Sequence, residues 1–261
     1  MKKHFLIVFM VTALALSTVG CTSFLPIRGS GRIIEEKREI NGVTSIDLTL
    51  GNLHIEQGDT EELRIEAEDN LVPRIETQMQ GKRLEISSKN PYLLIPRKPI
   101  NFYLTVKELG EIRILGDAEA NVLDLRADDL SVSISGSGAV FFDDLEADLV
   151  EAEISGSGVL DIANLDADEI RSNISGSGKT RITKGRANEQ SIDISGSGKY
   201  NADNLKSREA DVQISGSGNV SLRVSDRLKI NMSGSGNVRY IGNPDVTEDI
   251  SGSGHVEKIR D

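Results

Sequence analysis

The pentapeptide Ile-Ser-Gly-Ser-Gly opens at Ile134 and returns at Ile154, Ile174, Ile194, Ile214 and Ile250, with Met232 heading one further copy. Successive starts lie 20, 20, 20, 20, 18 and 18 residues apart, and a degenerate copy, Ile114-Leu-Gly-Asp-Ala118, precedes the first by another 20. A unit this short cannot bury an apolar face by itself, so the units must stack on one another. Apolar and polar residues alternate within each unit. In Val150-Glu-Ala-Glu-Ile154 one face carries Val150, Ala152 and Ile154 and the other Glu151 and Glu153, the period-2 signature of a strand with one buried side. Recurrent glycines and β-branched residues argue against helix.

Stacked in one direction and one register, such units form an all-β fold, a single-stranded right-handed parallel β-helix with coils of about 20 residues. Each sequence position then becomes a column. Two core columns are expected: Ile134, Ile154, Ile174, Ile194, Ile214, Met232, Ile250 and, six residues on, Val140, Leu160, Thr180, Tyr200, Val220, Val238, Val256. The Gly-Ser-Gly stretch is the expected corner, where positive φ or close backbone approach calls for glycine. The structural turn glycines are therefore Gly136, Gly138, Gly156, Gly158, Gly176, Gly178, Gly196, Gly198, Gly216, Gly218, Gly234, Gly236, Gly252 and Gly254. A second corner is expected at Leu145–Asp148 and Leu165–Asp168, tightened in the 18-residue units that lack this piece. Glu248 and Lys258 replace apolar residues in the last unit, as a charged cap against further stacking would.

The chain divides into a signal peptide (1–20), a lipid-anchored tether (21–31), an N-terminal part of irregular strands (32–110) and the repeat β-helix (111–261). The signal reading rests on Lys2 and Lys3, the apolar run Phe5–Leu16 and the small residues before Cys21. That run falls short of the roughly 20 apolar residues of a membrane span. Cys21 is the only cysteine, so an intramolecular disulfide is excluded. Thr18-Val19-Gly20-Cys21 resembles the lipobox of bacterial lipoproteins. The resemblance implies lipidation at Cys21 and, with Thr22 following in a Gram-negative host, an exported, outer-membrane protein; the alternative is a leftover cysteine at an ordinary cleavage site.

The formal net charge of −11 argues against a nucleic-acid partner and against contact with an anionic leaflet beyond the lipid. There is no tryptophan, which leaves the few Tyr and Phe for any stacking platform. The serine row Ser137, Ser157, Ser177, Ser197, Ser217, Ser235, Ser253 lacks the adjacent base a nucleophile needs, since only His54 and His255 follow Cys21. Its hydroxyls are expected to satisfy backbone groups and bond up the stack. Asp143, Asp144, Asp148, Asp166 and Asp168 read as a mixed-charge face with Lys184, Arg186, Lys206 and Arg208 rather than as a calcium site. No metal or cofactor is implied. Glu151 and Glu153 near Asp168 or Arg171 supply the serious enzyme alternative, a polysaccharide-active β-helix. A second alternative is a structural or assembly role. Asn90–Pro99, bracketed by Pro91, Pro96 and Pro99 and carrying Tyr92, Leu93, Leu94 and Ile95, reads as a loop that covers the open end of the β-helix rather than a ligand site.

Gly42-Val-Thr-Ser-Ile-Asp-Leu48, Asp69-Asn-Leu-Val-Pro-Arg-Ile-Glu-Thr77, Lys98-Pro-Ile-Asn-Phe-Tyr-Leu-Thr-Val106 and the Ser-Gly-Ser-Gly series together resemble the head GIN domain, described as the head of auto-transporter adhesins. The resemblance runs from about Ile33 to the C-terminus. It implies a β-helix and an envelope-associated adhesion or surface role, and it does not imply a catalytic residue; a glycan or a protein is the expected kind of ligand, and the sequence names neither. One departure stands out: where the family has its first Ser-Gly-Ser-Gly, this chain reads Leu48-Thr-Leu-Gly-Asn-Leu53.

Overall fold

A computed structural model describes residues 25–89 and 92–260, so the expected signal segment and Cys21 lie outside the described residues. The repeat region is a stack of parallel coils: β10 (Glu111–Gly116), β11 (Glu119–Gly136), β12 (Ala139–Gly156), β13 (Val159–Gly176), β14 (Lys179–Gly196), β15 (Lys199–Gly216) and β16 (Asn219–Gly234). A broken coil of β17 (Asn237–Ile241) and β18 (Asp245–Gly252) follows on β16, and β19 (His255–Lys258) starts a further coil on β17. Each coil pairs in register with the one before it, Ile134 opposite Ile154 and Ile154 opposite Ile174. Both expected columns run unbroken to Ile250 and Val256. A one-residue slip would turn this apolar set to solvent, so burial itself holds the register.

The coil has three sides where the sequence suggested two corners. Between β11 and β12 the ladder leaves off at Val122–Phe142 and resumes at Asp124–Asp144, then leaves off at Ala127–Ala147 and resumes at Asp129–Leu149. Leu145 and Ala147, expected within a corner, are buried. They form a short third side, and the bends fall at Asp143 and Asp148, each beside a break in the buried alternation. The shorter coils save their residues in this region. Ala202 pairs with Leu222 and Lys206 with Arg223, which bypasses Asp203, Asn204 and Leu205.

The N-terminal part extends the same sheet. β3 (Ser45–Leu48) pairs in parallel with β10 and β4 (Asn52–Gln57) with β11, so Leu48 and Leu53 head the two core columns above Ile114 and Ala120. The divergent corner between them turns at Gly51, φ +75°, beneath the Ile100 carbonyl. β7 (Arg83–Ser88) and β9 (Asn101–Val106) add parallel strands, while β2 (Ile33–Arg38), β5 (Glu62–Glu68) and β6 (Ile75–Gln80) pair antiparallel. A charged network crosses this junction. Arg83 Nη2 and Ser45 Oγ donate to Glu111 Oε2 at 2.9 and 2.6 Å, and Arg113 Nε donates to Asp47 Oδ1 at 2.9 Å.

Two expected irregular segments turn out to be one ribbon. Part of the expected tether is β1 (Leu25–Arg28), and part of the expected loop is β8 (Tyr92–Ile95); they pair in parallel as a separate two-stranded sheet. Ile27 and Leu94 pack against the core and draw both strands onto the body. Behind the ribbon lies Glu68, fully buried. It accepts the Gly31 N–H at 2.5 Å and the Arg97 N–H at 2.8 Å, and a Cβ at Gly29 would overlap its carboxylate. Burial pushes the Glu68 carboxyl up, but the backbone donors of Arg97, Gly31 and Lys98 and the Arg97 charge outweigh it and hold the pKa below the ordinary 4.5. Because the folded pKa is depressed, the clasp contributes its stability above about pH 4.5 and loses it as pH falls through the lower folded value. Hydrogen-exchange protection at Gly31 and Arg97, corrected for intrinsic rates, should therefore drop below pH 4.5. Glu68→Gln should lower it at neutral pH and abolish that dependence.

Candidate functional site

The Ser-Gly-Ser-Gly corners stack into one long edge. In the first glycine of each copy φ lies between +117° and +128°, and a Cβ at Gly156, Gly176, Gly196 or Gly216 would sit 2.6 Å from the carbonyl oxygen of the glycine one coil earlier. The second glycine of each copy packs against the residue heading an earlier copy, as Gly178 does against Ile154. The same two contacts recur from Gly136 and Gly138 to Gly252 and Gly254, with Met232 in place of isoleucine at Gly254. The coils are joined here through the backbone: Ser157 N–H donates to the Gly136 carbonyl at 2.8 Å and Val159 N–H to Gly138 at 3.0 Å, a pattern repeated at every corner.

This changes the role expected of the serine side chains. The backbone N–H groups tie the coils, while the serine hydroxyls of this edge make no hydrogen bond to another group among the described residues. Two exposed rows result. One is Ser135, Ser155, Ser175, Ser195, Ser215, Ser233, Ser251, and the other is the Ser137 row. Beside them stands a column the sequence reading passed over: Ser133, Glu153, Asn173, Asp193, Gln213, Asn231, Asp249. These three columns contain no Lys or Arg. Listing the residue before each pentapeptide, coil by coil, would have revealed it. A shallow groove of about 300 Å³ runs over this strip, lined by Ser133, Ser135, Ser155, Ser175, Ser195 and the side chains between them. The strip is a flat array of hydroxyls, amides and carboxylates, repeating at the roughly 4.8 Å spacing of paired strands.

The other candidate chemistries do not assemble. Glu151 is bound by Arg171 at 3.1 Å, and Arg171 also holds Glu169 at 2.6 Å, so that carboxylate is spent on an ion pair. The hydrogen bonds that Arg171 donates to Glu169 and then to Glu151 raise its pKa. Along the Asp face, Arg186 grips Asp166 at 2.7 and 2.5 Å, while Asn188 and Asn164 donate to Asp168 and Asp144. Among the described residues no three His, Cys, Asp or Glu side chains gather as a metal site would require. His54 stacks on Tyr103 with centroids 5.0 Å apart, and the Arg64 guanidinium lies 4.1 Å from the same ring, so this aromatic is already occupied. Cys21 lies outside the described residues.

No curated protein matches this chain. A solved structure described as "Putative lipid binding protein" from Parabacteroides distasonis has a TM-score of 0.85 and 24% identity, covering 90% of this chain and 100% of that one. One described as "putative adhesin" from Parabacteroides merdae has a TM-score of 0.84 and 23% identity over 90% and 99% of the two chains. A third, a "putative adhesin" from Bacteroides fragilis, reaches 0.68 at 20% identity over 89% and 100%. At these identities the likeness speaks to the fold. The sequence profile of the family described as "Putative auto-transporter adhesin, head GIN domain" matches residues 38–244, most of the β-helix and its N-terminal strands. The stacked Ser-Gly-Ser-Gly corners from Ile134 to Gly236 lie within that match, and the chain belongs to the head GIN domain family.

Proposed function

We propose that the chain is a non-catalytic adhesion module, exported and held on the outer membrane through a lipid on Cys21, that recognises a neutral, hydroxyl-rich polymer along its serine edge. The observation that carries this reading is the row of exposed hydroxyls left free by a backbone-zipped corner. A polysaccharide presents hydroxyls at repeated intervals, and a rigid array of small donors and acceptors meets them without ordering long side chains. Lacking Lys and Arg, the strip is unsuited to an anionic polymer. Family membership supports the adhesin-like role, and the signal and lipobox resemblance support the envelope location.

Ser135→Lys, Ser175→Lys and Ser215→Lys together place bulk and charge on alternate rungs of an exposed row. The triple variant should lose at least tenfold in binding to neutral polysaccharides in pull-down, about 1.4 kcal/mol or more, while its circular dichroism stays unchanged. Equal binding by parent and variant, or no polysaccharide binding by the parent, would sink the reading. For the anchor, Cys21→Ala should move the protein from the membrane to the soluble fraction of cells; retention in membranes would contradict it.

A further inference from the structure

The β1–β8 ribbon has an outward face that nothing in the body covers. Leu93 is 52% and Ile95 38% exposed, and they share one side of β8. Their partners across the ribbon are Pro26 and Arg28, both exposed. The chain continues from β8 through the exposed Pro96, Arg97, Lys98 and Pro99. In a protein of net charge −11 this is a basic patch: residues 25–33 and 92–100 carry Arg28, Arg32, Arg97 and Lys98 and no Asp or Glu. The carboxylates beside it are already engaged. Asp69 takes Arg32 and Ser30, and Glu68 is buried on backbone donors. Arg28 thus stands opposite Ile95 across the ribbon, and the exposed Arg97 and Lys98 follow Ile95 in the chain.

We infer that this ribbon is a membrane-contact surface, seating the body on an anionic phospholipid leaflet with Leu93 and Ile95 against the headgroup boundary and Arg28, Arg97 and Lys98 over the phosphates. The place of the patch in the chain argues for that occupant. Only Thr22, Ser23 and Phe24 separate Cys21 from Leu25, so β1 lies within about 14 Å of the cysteine even when those residues are fully extended. With a lipid on Cys21, the surface nearest the bilayer is this ribbon, and its charge has the sign that a phosphatidylglycerol leaflet attracts. The overall negative charge, which by itself disfavours such contact, lies elsewhere on the molecule. The Glu68 clasp keeps the ribbon on the body, so seating the ribbon would fix the tilt of the β-helix and the direction in which the serine edge points. The inference deepens the envelope-anchored reading and rests on it for the choice of a bilayer as occupant and for the orientation, while the basic charge and the exposed aliphatic pair stand apart from it.

The test needs no lipid anchor. The chain from Thr22 onward, which contains every described residue, is sedimented with vesicles of phosphatidylcholine alone or mixed with phosphatidylglycerol. Binding to the mixed vesicles is expected, weakening with salt, because each basic residue near such a surface is worth about fivefold. Arg97→Gln with Lys98→Gln should reduce it at least tenfold. Leu93→Ser with Ile95→Ser should do the same while leaving the unfolding midpoint unchanged, as both side chains are exposed. The proposal is overturned if the mixed vesicles are not bound, if the aliphatic pair has no effect, or if that pair changes only self-association in light scattering. Fractionation of Cys21→Ala and the polysaccharide assay fail independently of this result.

Discussion

Gly176→Ala should destabilise the protein by about 2–5 kcal/mol, whereas Ser175→Ala beside it should stay within about 0.5 kcal/mol. The two letters of the motif do different work. At φ +117° a residue with a Cβ is strained, typically by about 1–3 kcal/mol. That Cβ would also stand 2.6 Å from the Gly156 carbonyl oxygen, which already accepts the Ser177 N–H at 2.8 Å. Relieving the overlap pushes two coils apart, an overpacking cost of about 1–3 kcal/mol. Ser175 exposes its side chain and bonds no described group, so its removal takes away nothing the fold uses. Urea unfolding of the two variants separates the roles. Comparable losses from both would mean that the hydroxyls hold the corner, and the free-hydroxyl account of the binding edge would fall with it.

The second large effect concerns a place where core columns turn polar together, a larger cluster than the buried Ser172–Thr180 hydroxyl pair. Gln190 stands fully buried in the column of Leu130, Val150, Ile170, Ala210 and Leu228. Its Oε1 accepts from the Tyr200 hydroxyl at 2.8 Å, and its Nε2 donates to Ser207 Oγ at 2.7 Å and to the Arg223 carbonyl at 3.2 Å. Burial pushes the Tyr200 phenol up, so it remains the neutral donor. Tyr200→Phe leaves that Oε1 without its donor and should cost about 1–3 kcal/mol. Gln190→Leu restores the apolar character of its column but strands the Tyr200 hydroxyl. The double variant should therefore be less destabilised than the sum of the singles by about 1 kcal/mol or more, since two apolar partners leave no stranded polar atom between them. A double-mutant cycle in urea measures the coupling directly.

Much of this architecture is legible in the letters because a period fixes a coil. Ile134 over Ile154 needs nothing beyond counting, and the shift to 18 residues at Met232 locates the shortened coils. The charged end is equally readable, with Glu248 opposite Ile230 and Lys258 opposite Tyr240. The third side was harder to see. A bend at Asp143 and another at Asp148 require only consecutive outward residues, with no glycine or proline to mark them. The ribbon was missed for another reason: β1 and β8 are 67 residues apart from Leu25 to its partner Tyr92, each is four residues long, and neither carries the repeat. Their pairing depends on Ile27 and Leu94 finding the same patch of core, a tertiary choice that no local pattern announces. The serine edge was legible in place but misjudged in bonding, because alternation cannot tell whether a hydroxyl or the backbone beneath it closes the ladder.

Vertical registration of the pentapeptides is the claim on which the core, the corner and the serine edge all depend, and engineered disulfides test it most directly. In a chain with Cys21 replaced by alanine, Ser155→Cys with Ser175→Cys places two thiols on neighbouring rungs about 4.8 Å apart, within the span a disulfide bridges. Ser215→Cys with Ser233→Cys does the same across an 18-residue step. Both pairs should close within one chain on mild oxidation, while Ser155→Cys with Asn173→Cys, two residues off register, should stay reduced. Equal closure of all three pairs, or closure of the off-register pair alone, would contradict the stacked columns.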